Sequence, residues 1–522
     1  MNLFERQLLI KQLQQDKNWD VIVIGGGATG LGVALDSTTR GYKTLLLEQV
    51  DFAKGTSSRS TKLVHGGVRY LAQGNIDLVR EALYERGLLF KNASHLVKDQ
   101  SFIIPSYKWW DNIFYTIGLK IYDFLAGKLS FGKSIRINKN ETMSRLATIK
   151  SDNIKGGIVY HDGQFDDARL AINIAQTCIE NGATLLNHCK VKQLLKNEKG
   201  KVDGVIALDI ESDISYSLKA KVVINATGVF TDDILQMDNA EAKHIIRPSQ
   251  GVHLVLDQSF LPGNDAIMIP KTNDGRVLFL VPWHDKVVVG TTDTLLDSHS
   301  LEPIPLDEEV NFIISTANKY LVPTITRKDV LSVFAGLRPL AAPKDKSEKT
   351  KEISRSHKII VSNSELITIA GGKWTTYRKM AQDTVNRAIA IGKLPSRDCK
   401  TKHLSIHGAM DTFVRGNHMY IYGNDIAAIQ QLIKKNSEFG EKLHQRLPFT
   451  KVEVIWAIRY EMARTVEDIL ARRVRALFLD AKAAIEIAPI VATILADELD
   501  KNEAWKHEQI KKFTTIANQY VL

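Results

Sequence analysis

Residues 20–48 read DVIVIGGGATGLGVALDSTTRGYKTLLLE, and the fold class follows from this stretch. Asp20 to Ile24 is a short apolar run of strand length. GGGATG interrupts it, LGVALDSTTRG reads as a helix, and Tyr42 to Glu48 is a second apolar strand. That order is a βαβ unit whose parallel strands are buried on both faces. Gly25, Gly27 and Gly30 fit G-x-G-x-x-G between the strand and the helix. Gly25 permits the tight turn, Gly27 lets backbone approach a pyrophosphate, and Gly30 lets helix and strand pack closely. The free N–H groups and dipole of the helix start favour an anion. Glu48 closes the second strand, 18 residues beyond Gly30, where a carboxylate can hold two ribose hydroxyls. A glycine triplet alone is as readily a plain turn; strand, helix and acid in register make it a dinucleotide site.

These features do not separate FAD from NAD. Three further segments do. Residues 55–70, GTSSRSTKLVHGGVRY, are rich in hydroxyls and glycine and follow the ribose-binding strand. They can lie along an extended phosphate and flavin ring, with Thr56, Ser57, Ser60 and Thr61 as donors, although Gly and Ser also mark ordinary loops. Residues 222–228, VVINATG, form a buried strand ending at Gly228, and residues 369–377, IAGGKWTTY, place a diglycine before a second helix. Three glycine-marked approaches exceed what NAD needs, so the expected cofactor is FAD. Val191, Gly372, Thr375 and Thr376 complete the expected cofactor-binding set. No cysteine or histidine stands in an attachment motif, so the FAD is expected to be non-covalent.

Farther out, residues 76–94 carry a helical pattern, residues 166–181 another, and residues 202–210 with 216–218 alternate like a hairpin. Between Arg247 and Thr292 short strands and turns suggest an antiparallel sheet. Strands vanish after about Lys393, which places a boundary near Leu394–Pro395. A chain of 522 residues accommodates two or three domains. Cys178, Cys189 and Cys399 have neither disulfide-framework nor metal spacing, so no metal is expected and the chain reads as intracellular. Met1 to Asp20 reads as an amphipathic helix rather than a signal peptide. With 69 basic and 59 acidic residues the net charge is +10, which favours anionic partners as well as fitting a plain basic surface.

Taken together, GGGATGLGVALDSTTRGYKTLLLE, SSRSTKLVHGGVRYL, YHDGQFDDARL, NATGVFTDDI, VGTTDT, FAGLRPL, GGKWTTYRKMA and RYEMARTVEDILARRVRALFLD resemble the FAD-dependent glycerol-3-phosphate dehydrogenase family. The resemblance runs from about Asp20 to about Leu479. It implies an α/β fold with a glutathione-reductase-type FAD domain, an antiparallel-sheet substrate domain and a C-terminal all-helical domain. The expected segments are 18–75, 155–240 and 350–392 for FAD, 76–154 and 241–349 for the substrate cap, and 393–522 for the helices. It also implies electron transfer to membrane quinone. The family's oxidase branch uses O2 and carries an insertion that is not evident here. Its mitochondrial branch adds a calcium-binding extension, and no EF-hand loop is present in this sequence.

The implied substrate, sn-glycerol 3-phosphate, is a dianion that calls for several cations. By motif the phosphate-binding candidates are Arg338, Arg355, Lys373, Tyr70 and Arg69, a set similar to the family's. Any one of these cations alone reads equally as a surface charge, but Arg338 sits between apolar neighbours where an idle charge is costly. Oxidation of the alcohol to dihydroxyacetone phosphate sends a hydride to flavin N5 and needs a base of near-neutral pKa. His253 is the favoured base, His65 the alternative, with Arg338 as electrostatic partner of the alkoxide; a strand histidine can also be a simple hydrogen-bonded core residue.

Residues 107–127 carry Trp110, Phe114, Ile117, Ile121, Phe124 and Leu125 on one helix face, with Asp111, Lys120 and Asp123 off it. Such a helix either covers a core or lies in a bilayer interface. The expected location is the cytoplasm, attached peripherally to the inner face of the cell membrane, and a homodimer is a further expectation. Basic residues near RRVRALF alternate with acidic ones, so an intramolecular ion network is expected there rather than nucleic-acid binding. Two other readings remain: a flavin amine or amino-acid oxidase, which needs no phosphate cluster, and a flavin-bearing protein without activity.

Overall fold

Asn18–Ile24 is the central strand of the first sheet, because its apolar residues are covered on both sides: Val21, Ile22 and Val23 are fully buried. The computed structural model describes residues 2–16, 18–72, 74–272, 275–341, 357–410 and 417–522. The central strand pairs in parallel with Thr44–Leu47 on one side and Ile214–Asn225 on the other. Thr184–Leu186 and Ile367–Ala370 extend the parallel sheet, and Lys358–Val361 closes one edge antiparallel. Helices Ala28–Thr39, Asp167–Glu180 and Tyr377–Ile391 pack together against this sheet. The expected hairpin is present as Val202–Asp209 against Ile214–Asn225.

The second sheet has ten strands, built around the long pair Ile246–Asp257 and Val330–Ala341. Its strands between Ile246 and Leu295 are antiparallel to one another, as the alternation of short apolar runs and turns required. Two of its strands lay hidden in the sequence. Gly156–Gln164 falls among the segments assigned to FAD, yet it pairs with Lys98–Ser106 over its whole length in the second sheet. Lys98–Ser106 opens on the polar run Lys-Asp-Gln-Ser, and Gly156–Gln164 is buried almost throughout yet mixes glycines and polar residues with its apolar ones, so neither shows the alternation that marks a half-buried strand.

Beyond Ile367–Ala370 the described residues hold helices and turns and no further strand. Lys451–Tyr460, Ala481–Leu499 and Glu503–Ala517 form a helical layer whose core includes Val255, Trp283 and Phe334 of the second sheet. At the other end, Arg6–Gln15 is the expected amphipathic helix and buries Leu9 and Leu13. No described helix is long and apolar enough to cross a membrane.

Buried ion pairs join the C-terminal helices to the first sheet. Arg169 donates to Glu461 at 2.7 and 2.8 Å. Arg472 and Arg473 both reach Asp51, and Arg472 also reaches Glu467 and Asp468. Lys54 bridges Glu467 and Glu302 at 2.6 and 2.7 Å, while Arg59 also pairs with Glu302. This is the intramolecular network that the interleaved charges announced. Burial alone would raise the Glu302 carboxyl, but the Arg59 and Lys54 charges hold it down to about 2. A depressed carboxylate contributes stability that is present above its ordinary value and lost as pH falls through the folded one. Urea midpoints should therefore fall between about pH 4.5 and pH 2 in the wild type. Glu302→Gln should be less stable at neutral pH, and its deficit should shrink through that window; a deficit that stays constant with pH would show that Glu302 does not carry the effect.

Candidate active site

Two adjoining cavities lie where the sheets meet. The first, about 360 Å³, opens at the carboxyl end of the central strand and is lined by Gly25, Gly27, Glu48, Thr56, Ser57, Val191, Gly228 and Gly372. The second, about 300 Å³, is lined by Thr56, Ser60, Thr61, His65, Tyr70, His253, Arg338, Gly372, Lys373 and Thr375. Thr56, Pro339, Gly371, Gly372, Lys373 and Trp374 line both, so the two are one continuous cleft.

The residues of the first cavity fit a dinucleotide. Gly25 has φ = +106°, and a Cβ there would meet the Ala226 carbonyl oxygen at 2.8 Å. A Cβ on Gly30 would stand 1.9 Å from the Gly25 carbonyl oxygen, so helix and strand touch only because Gly30 has no side chain. Gly30 accordingly lies behind the cavity wall rather than in it. Gly27 caps the helix without a side-chain acceptor, leaving most first-turn N–H groups for an anion, while Ala28 N–H donates to Ser57 Oγ at 2.9 Å. Glu48 accepts from Gly26 and Val50 N–H at 2.7 and 2.9 Å, which fixes its carboxylate at the cleft wall. Burial raises its pKa.

The segment after the second strand is pinned to its surroundings. Thr56 donates to the Leu337 carbonyl at 2.6 Å, and Trp374 Nε1 donates to the Ser57 carbonyl at 2.9 Å. The Thr375 hydroxyl accepts from His65 N–H at 3.2 Å. Thr376 lines neither cavity; its hydroxyl turns back to the Lys373 carbonyl at 3.3 Å.

In the second cavity the register of the long strands sets the chemistry. His253 stands opposite Phe334, Gly251 opposite Gly336, and Ser249 opposite Arg338. A period of two puts all six on one face. The Gly251–Gly336 pair keeps this floor open, since a Cβ on Gly251 would meet Arg338 Nη2 at 2.3 Å. Arg338 is oriented by Asp293 at 3.3 Å, Thr291 Oγ1 at 3.1 Å and the Thr292 carbonyl at 3.1 Å. The Lys373 ammonium lies 3.8 Å from the Tyr70 ring centroid. His253 is buried, stacks on Phe334 with centroids 4.9 Å apart, and sits 2.9 Å from Thr61 Oγ1 through Nε2. Burial, then the charges of Lys62 and Arg338, hold its pKa well below the ordinary value, so the imidazole is neutral. That departs from the near-neutral base expected from sequence, chiefly because burial disfavours an imidazolium, with the Lys62 and Arg338 charges adding to the effect.

Arg355 and the side chain of Arg69 lie outside the described residues. Two cavity residues were missed: Arg276, in a turn whose DGR text offered the only signal, and Asp293, the carboxylate that orients Arg338.

Comparison with known proteins agrees with this geometry. Residues 20–378 match the family described as FAD dependent oxidoreductase, and residues 362–506 match the C-terminal domain of alpha-glycerophosphate oxidase. The probable mitochondrial glycerol-3-phosphate dehydrogenase of Caenorhabditis elegans is 40% identical over 98% of this chain and 75% of its own length. The mitochondrial glycerol-3-phosphate dehydrogenase of Homo sapiens is 39% identical over 97% of this chain and 74% of its own. The X-ray structure of the Bacillus halodurans glycerol-3-phosphate dehydrogenase complexed with FAD superposes with a TM-score of 0.82 at 29% identity, covering 100% of this chain and 98% of that one. The chain belongs to the FAD-dependent oxidoreductases and, among them, to the glycerol-3-phosphate dehydrogenase family. It is an enzyme, and FAD is its cofactor.

Gly30→Ala tests the cofactor cleft. The added methyl cannot be placed without moving the helix off the strand, so the protein should purify with well under one FAD per chain while remaining folded by circular dichroism. Full flavin occupancy in that variant would mean that the helix start does not contact the cofactor.

Proposed function

We propose that this chain oxidises sn-glycerol 3-phosphate to dihydroxyacetone phosphate and passes the electrons to a membrane quinone. The observation that carries the reading is the second cavity, where Arg338, Lys373, Arg276 and the neutral His253 share one chamber continuous with the dinucleotide cleft. A phosphomonoester dianion suits such a wall, with Arg338 offering forked donors and Lys373 a point charge. The Tyr70 hydroxyl supplies one further donor. A carboxylate and an amine, as in an amino-acid oxidase, would leave this cation set without its dianion.

The chain's own residues then divide the work. The cations fix the ester so that its middle carbon faces the flavin, and the mainly apolar walls exclude water. His253, neutral in the resting enzyme, takes the hydroxyl proton. The arriving dianion offsets the charge of Arg338, one of the groups that disfavour the imidazolium, and so eases the proton transfer to His253. Arg338 stabilises the developing alkoxide. Bound FAD supplies the hydride acceptor at N5.

Attachment to a bilayer rests on the helix Trp109–Ala126. Its inner side, with Leu119 and Tyr122, is buried against its neighbours, while Phe114, Ile117, Ile121 and Phe124 point outward, Phe124 with 84% of its surface exposed. The side chain of Trp110 lies outside the described residues. With Ile113 also exposed, five large apolar side chains among the described residues are left in water on one helix, which suits an interfacial site where a lipid-soluble quinone is within reach.

Anaerobic addition of glycerol 3-phosphate should bleach the yellow enzyme, and amino acids should not. Arg338→Ala should lower kcat/KM about 100-fold through loss of charge-assisted hydrogen bonds, and His253→Ala should lower kcat by about 10²- to 10⁴-fold. A wild-type flavin that stays oxidised rejects the substrate. Reoxidation by a short-chain quinone that is no faster than by O2 would favour an oxidase instead. Separately, the enzyme should float with anionic liposomes and Phe114→Asp/Phe124→Asp should remain in the soluble fraction; equal flotation would move the attachment elsewhere.

A further inference from the structure

Thr61 stands between the imidazole and the C-terminal helices. Its hydroxyl oxygen lies 2.9 Å from His253 Nε2, and the residues on either side of it are gripped by one buried carboxylate. Asp167 accepts from Ser60 N–H at 3.0 Å, from the Ser60 hydroxyl at 2.7 Å and from the Lys62 ammonium at 2.8 Å. Arg475 donates to the same carboxylate at 3.1 Å and to the Ser58 carbonyl at 2.9 Å, where Lys62 also donates at 2.8 Å. Lys62, Asp167 and Arg475 are completely shut off from solvent.

The same cluster meets His253 by a second route. Phe334, on which His253 stacks, carries the Lys62 ammonium 5.2 Å from its centroid and touches Phe478, whose ring lies 4.3 Å from the Arg475 guanidinium. Arg475 also holds a costly backbone. Its φ is +61°, directly after the π-helical turn Asp468–Arg473, and non-glycine residues hold such conformations mainly where the surroundings demand them, often at functional sites. If filling space were the whole role, an apolar side chain would do it without desolvating a charge.

We propose that Arg475 is a positioning residue for the catalytic centre: by locking Ser58–Lys62 through Asp167, it holds the Thr61 hydroxyl on His253 Nε2 and so fixes the orientation and tautomer of that imidazole. The charged groups facing His253 are Lys62 from this loop and Arg338 from the neighbouring strand. The kinetic part of the proposal rests on the glycerol 3-phosphate reading given above; the state of the imidazole does not.

The test uses FAD-loaded wild type, Thr61→Val, Arg475→Lys and Arg475→Gly, the last of which accepts the left-handed backbone while removing the guanidinium. Thr61→Val and Arg475→Gly should each slow anaerobic flavin reduction at saturating substrate about 10- to 100-fold with KM within about twofold. Both should shift the pH profile of kcat in the same direction. Arg475→Lys should recover part of the rate, and the double variant should be little worse than either single one, as expected for two parts of one device. Long-range proton–nitrogen spectra of ¹⁵N-histidine protein, assigned with His253→Asn, should show the His253 tautomer altered in both variants. An unchanged pH profile and His253 spectrum in Arg475→Gly, or losses that multiply in the double variant, overturn the proposal. Should Arg475→Gly fail to fold, Ser60→Ala loosens the same grip and is held to the same outcomes. If wild-type flavin is not reduced by glycerol 3-phosphate, the functional reading fails, and the histidine spectra still decide the coupling.

Discussion

A carboxylate taken out of water must be given charges or donors in return, and Asp167 receives most of its compensation from one short loop and one distant arginine, with one further N–H from Ala168. The residues it grips are those that pass beneath the dinucleotide cleft and end beside His253. Everything chemical in the molecule depends on that loop keeping its path. Neighbouring ion pairs serve the same end: Lys54 and Arg59 are each held by Glu302, and Asp51 by two arginines of the C-terminal helices. Replacing Glu302 leaves the buried Arg59 without its carboxylate, a kind of loss that typically costs about 3–5 kcal/mol.

The two sheets have different tasks. The parallel sheet offers helix starts and strand ends to an elongated cofactor, as open α/β sheets do. The antiparallel sheet provides a floor on which side chains from two long strands alternate, and its paired glycines make that floor concave. Shared residues from Pro339 and Gly371 to Trp374 make one wall serve both chambers. Whatever occupies the second chamber is thus brought up against the cofactor cleft by the backbone itself.

What the sequence disclosed follows the range of the interactions. Gly25, Gly30 and Glu48 act within a few dozen residues of one another, so strand, turn, helix and acid could be read in order. His253, Arg338 and Lys373 were found because their flanking text is distinctive, and the structure brings all three to one cavity. Arg276 was missed since a single arginine after a turn looks like any surface charge. The strands Lys98–Ser106 and Gly156–Gln164 were missed because polar residues and glycines break up their apolar text and no alternation is left to read. The low pKa of His253 was beyond sequence altogether, for it depends first on how deeply the fold buries the ring and then on Lys62 and Arg338 converging from separate elements.

The span of these contacts bears on how the protein is made. Asp51 and Arg472 are separated by 421 residues, and Ser58 and Arg475 by 417. On the ribosome the glycine turn and its helix emerge early, but Asp51 in the neighbouring loop has no cationic partner until Arg472 and Arg473 arrive. A nascent chain halted before residue 475 would carry a nearly complete nucleotide fold with no settled floor beneath the flavin. The loop beside the flavin cleft is therefore a product of contacts made across more than 400 residues of chain, and its order reports on the whole of that span.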